Sequence, residues 1–305
     1  MRPPTIRLVR AVDRPGRSGP INGQYALQRL LRCETARREI DWLAFGGAPQ
    51  PGEIPWYWCW EDRAAAAAWA AAERPFIQGP NTLLLDSRRP RSDRLEAALL
   101  DAPSCRLLFT ESAWYAELLR RHLGLRARPR IVLWPYPIEP APPGPAPRAE
   151  WDLMVYAKNG RFPGLVEAVV ERFRRHRPVV YGRYRRTELW ETARRSRACL
   201  YLADDDRGPL ALAEILLCGC PVVGLPTGAP FVEQGRTGLI LPRLGPAAVL
   251  EALLDCQELD RHQVAAAAAE QFDPLRIAEA IFGALRRVKG EVRNLSPFSL
   301  QTSPF

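Results

Sequence analysis

The chain has little histidine, methionine or lysine: only 3 of its 305 residues are His and 2 are Met. The histidines (122, 176 and 262) lie on Arg-rich or polar stretches. None is paired at a metal-ligand spacing, so neither a metal nor another cofactor is expected. The 7 cysteines (33, 59, 105, 199, 218, 220 and 256) are odd in number and scattered. A disulfide scaffold would use an even set in a short secreted chain, so reduced thiols and a cytoplasmic protein are expected. No apolar run reaches the roughly 18 residues of a membrane-crossing helix. The opening stretch MRPPTIRLVRAVDRPG has no apolar signal core, which argues against secretion. There is no zinc motif and no Arg/aromatic recognition module, so nucleic acid is not an expected partner.

Lysine is scarce but charge is not. Of 43 basic residues only Lys158 and Lys289 are Lys, and the net charge is +9. Genomic base composition explains most of the arginine. Positive charge still suits nucleotides, phosphates and anionic lipid, so peripheral contact with the inner face of a membrane stays open.

A chain of 305 residues suits two domains. Residues 135–147, PYPIEPAPPGPAP, carry seven prolines. Such a stretch builds neither a helix nor a central strand, and reads as a semi-rigid spacer. The expected division is a first domain over 1–138, a linker over 139–150, a second domain over 151–290 and a tail over 291–305. On both sides short apolar strands alternate with helices. Strands are expected at Thr5–Val9, Trp56–Cys59, Phe76–Ile77, Arg106–Phe109 and Ile131–Trp134, then at Leu153–Tyr156, Val179–Tyr181, Cys199–Leu202, Val222–Leu225 and Leu239–Leu241. Helices are expected at Gln24–Arg38, Arg63–Glu73, Arg94–Leu100, Ala113–Leu123, Gly164–His176, Glu188–Ser196, Pro209–Cys218 and three more from Ala247 on. The alternation implies an α/β protein of two Rossmann-like domains with parallel sheets, facing a cleft.

Ligands of open α/β sheets bind beyond the carboxyl ends of the strands. The strand Cys199–Leu202 runs into ADDDRGP and then a helix. Helix starts offer free amides and a favourable dipole to anions, and Gly208 permits close approach. Asp206 and Glu214 bracket this turn. A carboxylate on the helix matches the vicinal diol of a ribose. Asp206 reads equally as an ordinary N-cap, and Glu214 as a solvated helix charge. Lys158 and Arg161 follow the strand Leu153–Tyr156. A lysine kept in an arginine-rich chain suggests a compact point charge, though a solvated loop cation is the plain alternative. Tyr184 either stacks on a base or lies on the surface. Most of the tryptophans lie in the first half and read as core.

The segment ALAEILLCGCPVVGLPTGAPFVEQGRTGLIL resembles the donor-binding segment of GT-B glycosyltransferases of the retaining family 4 kind, glycosyltransferase group 1. That pattern is E-x7-E, a small-Gly-x-Pro-Val-Val strand entry, a Gly-rich loop and a Glu before a Gly turn. Asp206 and Glu214 hold the acidic positions, Gly219–Pro221–Val222–Val223 the strand entry, and Thr227–Gly228 and Glu233–Gly235–Gly238 the rest. The match covers about 40 residues closely and the two-domain plan loosely.

The resemblance implies that Asp206 contacts the donor sugar, Glu214 binds ribose, and amides near Gly208 and Leu210 hold the pyrophosphate. Lys158 and Arg161 would face the donor phosphates, and Arg207 would supply a further cation. In the first domain, Gly19–Gly23 resembles a Gly-rich loop that brings Asn22 and Gly23 to the donor. Gln78 stands where the family often has His, and with Asn81 and Glu111 would line the acceptor side. This chain departs from the family in having Asp for the first Glu, and Arg207–Gly208–Pro209 where glycines are usual.

The leading expectation is therefore a metal-independent, retaining hexosyltransferase. It would move a sugar from a UDP- or GDP-sugar to a glycan, lipid-linked or protein hydroxyl, in making a surface polysaccharide or glycoconjugate. The alternative is a degenerate nucleotide-binding module without transferase activity. An epimerase would want a histidine in the cleft, and a nucleic-acid protein would show steep salt dependence.

Overall fold

The computed structural model describes residues 4–14, 19–59, 62–81, 98, 99, 101–122, 130–133, 136–139, 141–158, 162 and 164–295. They fall into two compact units. One gathers the described residues up to Leu133 with those from Leu275 on, and the other runs from Tyr136 to Pro274.

The first unit holds β1 (Ile6–Leu8), α1 (Gly19–Arg37), β2 (Leu43–Phe45), β3 (Ile54–Cys59), α2 (Arg63–Ala71), β4 (Phe76–Asn81), β5 (Cys105–Thr110), α3 (Ala113–His122) and β6 (Arg130–Leu133). Its sheet is parallel, with the order β2-β1-β3-β4-β5-β6. The second holds β7 (Leu153–Ala157), α4 (Leu165–Arg172), β8 (His176–Val180), α5 (Arg186–Arg194), β9 (Cys199–Leu202), α6 (Leu210–Leu217), β10 (Val222–Gly224), β11 (Gly238–Ile240), α7 (Pro246–Gln257) and α8 (Arg261–Gln271). Its order, β8-β7-β9-β10-β11, is again all parallel. Both sheets are doubly wound. Each sheet grows outward in opposite directions from its first strand, which creates a switch point between β1 and β3 and another between β7 and β9.

Strict alternation builds the second core. Met154, Tyr156, Cys199, Tyr201 and Val222 pack with Leu189 of α5, Leu212 and Leu216 of α6 and Val264 of α8. Leu153, Val155, Leu200, Leu202 and Val223 pack on the other face with Val169 of α4 and Leu253 of α7. A sheet covered on both faces needs such uninterrupted apolar strands.

Four expectations change. Gly19–Gly23 is not a loop, because α1 already starts at Gly19. Pro20, at the second helical position, lacks only an amide hydrogen that a first turn leaves unpaired. Helix α4 stops at Arg172, and His176 opens β8 instead of closing the helix. Strand β2 was absent from the sequence reading because three residues carry no period. The helix α9 (Pro274–Leu295) groups from Leu275 onward with the first unit, where the sequence reading had 151–290 as one domain. Its apolar face (Ile277, Ile281, Phe282, Leu285 and Val288) is buried, Phe282 meets Trp42 edge-on, and Glu279 pairs with Arg38 at 2.6 Å. The described part of the proline-rich stretch is docked and not free: Ala146 N–H donates to Arg194 O, and Pro145 lies against Gly219. The expected helix over 94–100 lies mostly outside the described residues.

Two glycines should respond oppositely to alanine. A Cβ at Gly228 would stand 1.8 Å from the carbonyl oxygen of Ala203, whereas one at Gly290, inside α9, meets nothing within 4 Å. Gly228→Ala should cost roughly 3 kcal/mol, a fall in Tm of about 6–12 °C. Gly290→Ala should add about 0.5–1 kcal/mol of helix propensity and raise Tm slightly. A thermal melt of each variant checks the signs.

Candidate functional site

The second switch point brings several of the candidate residues together. Tyr156 of β7 stands in register with Tyr201 of β9, so their rings stack at 4.7 Å and 10°. One step past the strand ends, Lys158 N–H donates to Leu202 O at 2.9 Å. Beyond it Lys158 Nζ meets Asp206 Oδ1 at 2.6 Å. Tyr201 OH donates to Asp206 Oδ2 at 2.9 Å. The Lys158 ammonium also lies 5.3 Å from the centre of the Tyr181 ring.

The loop that presents Asp206 is anchored from behind. Asp206 N–H donates to Thr227 O, and Thr227 Oγ1 donates to Asp204 O at 2.7 Å. Gly228 has no side chain because the Ala203 carbonyl occupies that space. The Thr-Gly pair is thus an anchor for the acidic loop. Asp206 is 5% exposed and is not the cap of α6, whose N-cap is Pro209. Both plain readings of the acids fail, since Glu214 is only 6% exposed and is no solvated surface charge.

Glu214 Oε1 accepts from Arg186 Nε at 2.5 Å. Arg186 Nη1 donates to Glu139 O at 2.7 Å, and its guanidinium lies 4.7 Å from the centre of the Trp190 ring. Tyr184 is half-buried. Its hydroxyl is 3.1 Å from Tyr156 OH, and its ring meets Tyr156 edge-on at 6.0 Å. Burial pushes the Tyr184 hydroxyl up to about 12, opposed by the Tyr156 hydrogen bond and helped by the charges of Glu214 and Asp206. The two acids, Tyr184 and Lys158 therefore form one electrostatic neighbourhood.

Burial also raises both acids. For Asp206 it outweighs the attraction of Lys158 and the hydrogen bonds from Lys158 and Tyr201. For Glu214 it outweighs Arg186. A carboxyl whose folded pKa lies above its unfolded one favours the fold when protonated, and that advantage is lost as pH rises through the folded value. Asp206→Asn, which keeps an acceptor for Tyr201, should therefore raise Tm in the absence of ligand by about 2–4 °C near neutral pH. The gain should shrink as pH falls and Asp206 itself takes a proton. Melts of both proteins across pH test this, and a gain that grows on acidification contradicts it.

Helix α6 offers its first turn beside these groups. Ala213 N–H makes the first intrahelical bond, to Pro209 O. The amides of Leu210, Ala211 and Leu212 precede that bond and have no helical acceptor. Arg207, 16% exposed at its side chain, lies 3.9 Å from Asp205 and flanks Gly208 at the same turn. Arg161 lies outside the described residues.

The first-unit candidates stand on a different sheet. Asn22 and Gly23 lie in the opening turns of α1, which follows β1, and not on a loop. Gln78 is fully buried on β4, and neither of its side-chain polar atoms has a hydrogen-bond partner. Thr110 Oγ1 and Ser112 Oγ, on either side of buried Glu111, are also buried without partners. Such groups cost about 1–3 kcal/mol each, so a site of polar binding is one physical account of their presence. Asn81 is the last residue of β4.

The sequence reading missed Arg186, Tyr156 and Tyr201. Arg186 is one arginine among 41, 28 residues from its partner. The tyrosines sit in strands and read as core. A tyrosine in each of two neighbouring parallel strands, ending at the acidic loop, was the available signal.

No known family profile matches the chain. No curated protein matches its sequence. Solved structures do match its fold. AviGT4, a glycosyltransferase involved in avilamycin A biosynthesis, is 14% identical over 95% of this chain and 99% of its own, with a TM-score of 0.52. Anabaena HepE, solved with UDP-glucose, is 12% identical over 94% and 100%, with a TM-score of 0.61. Sucrose-phosphate synthase from Thermosynechococcus elongatus is 15% identical over 87% and 78%, with a TM-score of 0.54. The chain thus has the GT-B glycosyltransferase fold of two parallel α/β units. Among the described residues no helix is long and apolar enough to cross a membrane.

Proposed function

We propose that the protein is a glycosyltransferase that moves a sugar from a nucleoside-diphosphate sugar to an acceptor hydroxyl without a metal ion. The observation that carries this reading is the Lys158–Asp206 pair at the β7/β9 switch point, with Glu214 buried one helix turn beyond the start of α6. The neighbours' fold supports it, and one of them was solved with UDP-glucose. In this reading the diphosphate lies against the α6 amides, Gly208, Lys158, Arg207 and Arg161. Lys158 leaves Asp206 for the phosphate, which frees the Asp206 carboxylate to accept from a sugar hydroxyl. Glu214 accepts from ribose and Tyr184 borders the base. On the first unit, Asn22 and Gly23 are proposed as further donor contacts, and Gln78, Asn81 and Glu111 as acceptor contacts.

The reaction breaks the bond from the anomeric carbon to the β-phosphate oxygen and joins that carbon to the acceptor oxygen. The acceptor enters on the face that the phosphate leaves and passes its proton to that phosphate, so no side chain need act as nucleophile and the configuration is retained. Fixed cations and helix amides stabilise the leaving charge in place of a metal. A family 4 type of hexosyltransferase using UDP- or GDP-sugars at the cytoplasmic face of a membrane, for surface polysaccharide or glycoconjugate synthesis, is the specific form proposed.

Release of UDP from UDP-glucose, or of GDP from GDP-mannose, in excess EDTA with glycan and lipid-linked acceptors, tests it. The expected result is turnover that EDTA leaves intact and Asp206→Ala removes. Tight nucleotide binding with no turnover on any acceptor would favour a binding module instead.

A further inference from the structure

A carboxylate can meet a ribose diol with both of its oxygens, yet one oxygen of Glu214 is already engaged. Arg186 Nε holds Oε1 at 2.5 Å, and the same guanidinium is fixed from two other directions, by the Glu139 carbonyl at 2.7 Å and the Trp190 ring at 4.7 Å. The Glu214 side chain is 7% exposed, whereas that of Arg186 is 39% exposed. A carboxylate so far from water stays charged only with a partner. Most exposed Arg–Glu pairs have no such three-sided support and are loosely held.

We infer that Arg186 is a positioning residue of the nucleotide site. It fixes the rotamer and the charge of Glu214, so that the other oxygen, Oε2, meets the ribose hydroxyls. This inference rests on Glu214 as the ribose-binding acid. The competing view is that the pair only fastens α5 to α6. That view predicts lower stability and unchanged affinity in folded protein.

Calorimetric titration of UDP into the full chain separates the two views, using wild type, Arg186→Gln, Arg186→Lys, Glu214→Gln and the double variant Arg186→Gln/Glu214→Gln. Arg186→Gln should weaken UDP about 10- to 100-fold, the range for losing a charged hydrogen-bond partner. Arg186→Lys should recover to within about tenfold of wild type, because it keeps the charge but not the fork. The double variant should be no weaker than Glu214→Gln alone, since the two residues act as one unit.

Affinity of Arg186→Gln should improve with rising pH as Glu214 ionises, over a higher pH range than in wild type, because burial then raises Glu214 without the opposing charge of Arg186. The groups facing Glu214 are Arg186 and Trp190 of α5, Tyr184 before it and Cys218 beyond its own helix. Burial holds the Tyr184 hydroxyl and the Cys218 thiol up at about 12, above the working range.

If folded Arg186→Gln binds UDP within about twofold of wild type, or its effect adds fully to that of Glu214→Gln, the inference is overturned. If Arg186→Gln does not fold, Arg186→Lys carries the test, and its loss must vanish in a Glu214→Gln background. Loss of UDP in Glu214→Gln with none in Arg186→Gln removes the inference alone. Absence of binding by wild type to UDP, GDP and ADP removes the ribose reading and the inference with it.

Discussion

Replacing Lys158 by alanine should cut sugar transfer by about 10²–10³-fold, the cost of losing one fixed charge on a developing anion. The ammonium is in place because the β7 backbone is tied to β9 at Leu202 and because Asp206 and the Tyr181 ring hold its tip. In the proposed reaction this cation leaves Asp206 for the diphosphate and meets the charge that develops there as the leaving group departs. The same substitution strips the 5%-exposed Asp206 of its opposite charge. Stability should therefore fall too, and more at high pH, where Asp206 must be ionised without its partner. Lys158→Arg should restore stability further than turnover, since a planar fork does not replace a point charge. Steady-state donor turnover with parallel melts at two pH values measures both. Full activity in Lys158→Ala would remove the residue from the mechanism.

Glu214→Ala should weaken UDP and UDP-glucose equally, by about 10- to 100-fold, because ribose is common to both. Asp206→Ala should behave differently. It should weaken UDP-glucose and leave UDP nearly unchanged, because Asp206 is assigned to the sugar. The ratio of the two affinities in each variant is more telling than either affinity, because a merely unfolded site would lose both ligands in both variants. An Asp206→Ala protein that loses UDP as severely as UDP-glucose would place the acid on the nucleotide.

Part of this site was legible along the chain and part was not, for a physical reason. Asp206 and Glu214 lie within nine residues, and their loop-then-helix setting is a local pattern. Lys158 stood out because the chain holds only one other lysine. The alternation of strands and helices was enough to give two parallel sheets. What joins these groups is long-range. The tyrosine stack depends on the register of β7 against β9, and Arg186 reaches Glu214 from another helix. Neither relation has a sequence period. Helix α9 shows the same limit: its apolar stripe was readable, but which unit it covers depends on Trp42 and Arg38, more than 200 residues away. The opening of α1 was misread because Gly and Pro were given their turn meaning, although Pro20 sits where a helix tolerates it.

The most direct test of the donor-site reading is calorimetric titration of UDP-glucose and GDP-mannose into wild-type protein in EDTA, repeated with Glu214→Ala. The reading predicts saturable binding of a sugar nucleotide without metal and its loss by about tenfold or more in the variant. Equal affinity in wild type and Glu214→Ala, or binding that appears only when a divalent cation is added, would contradict it.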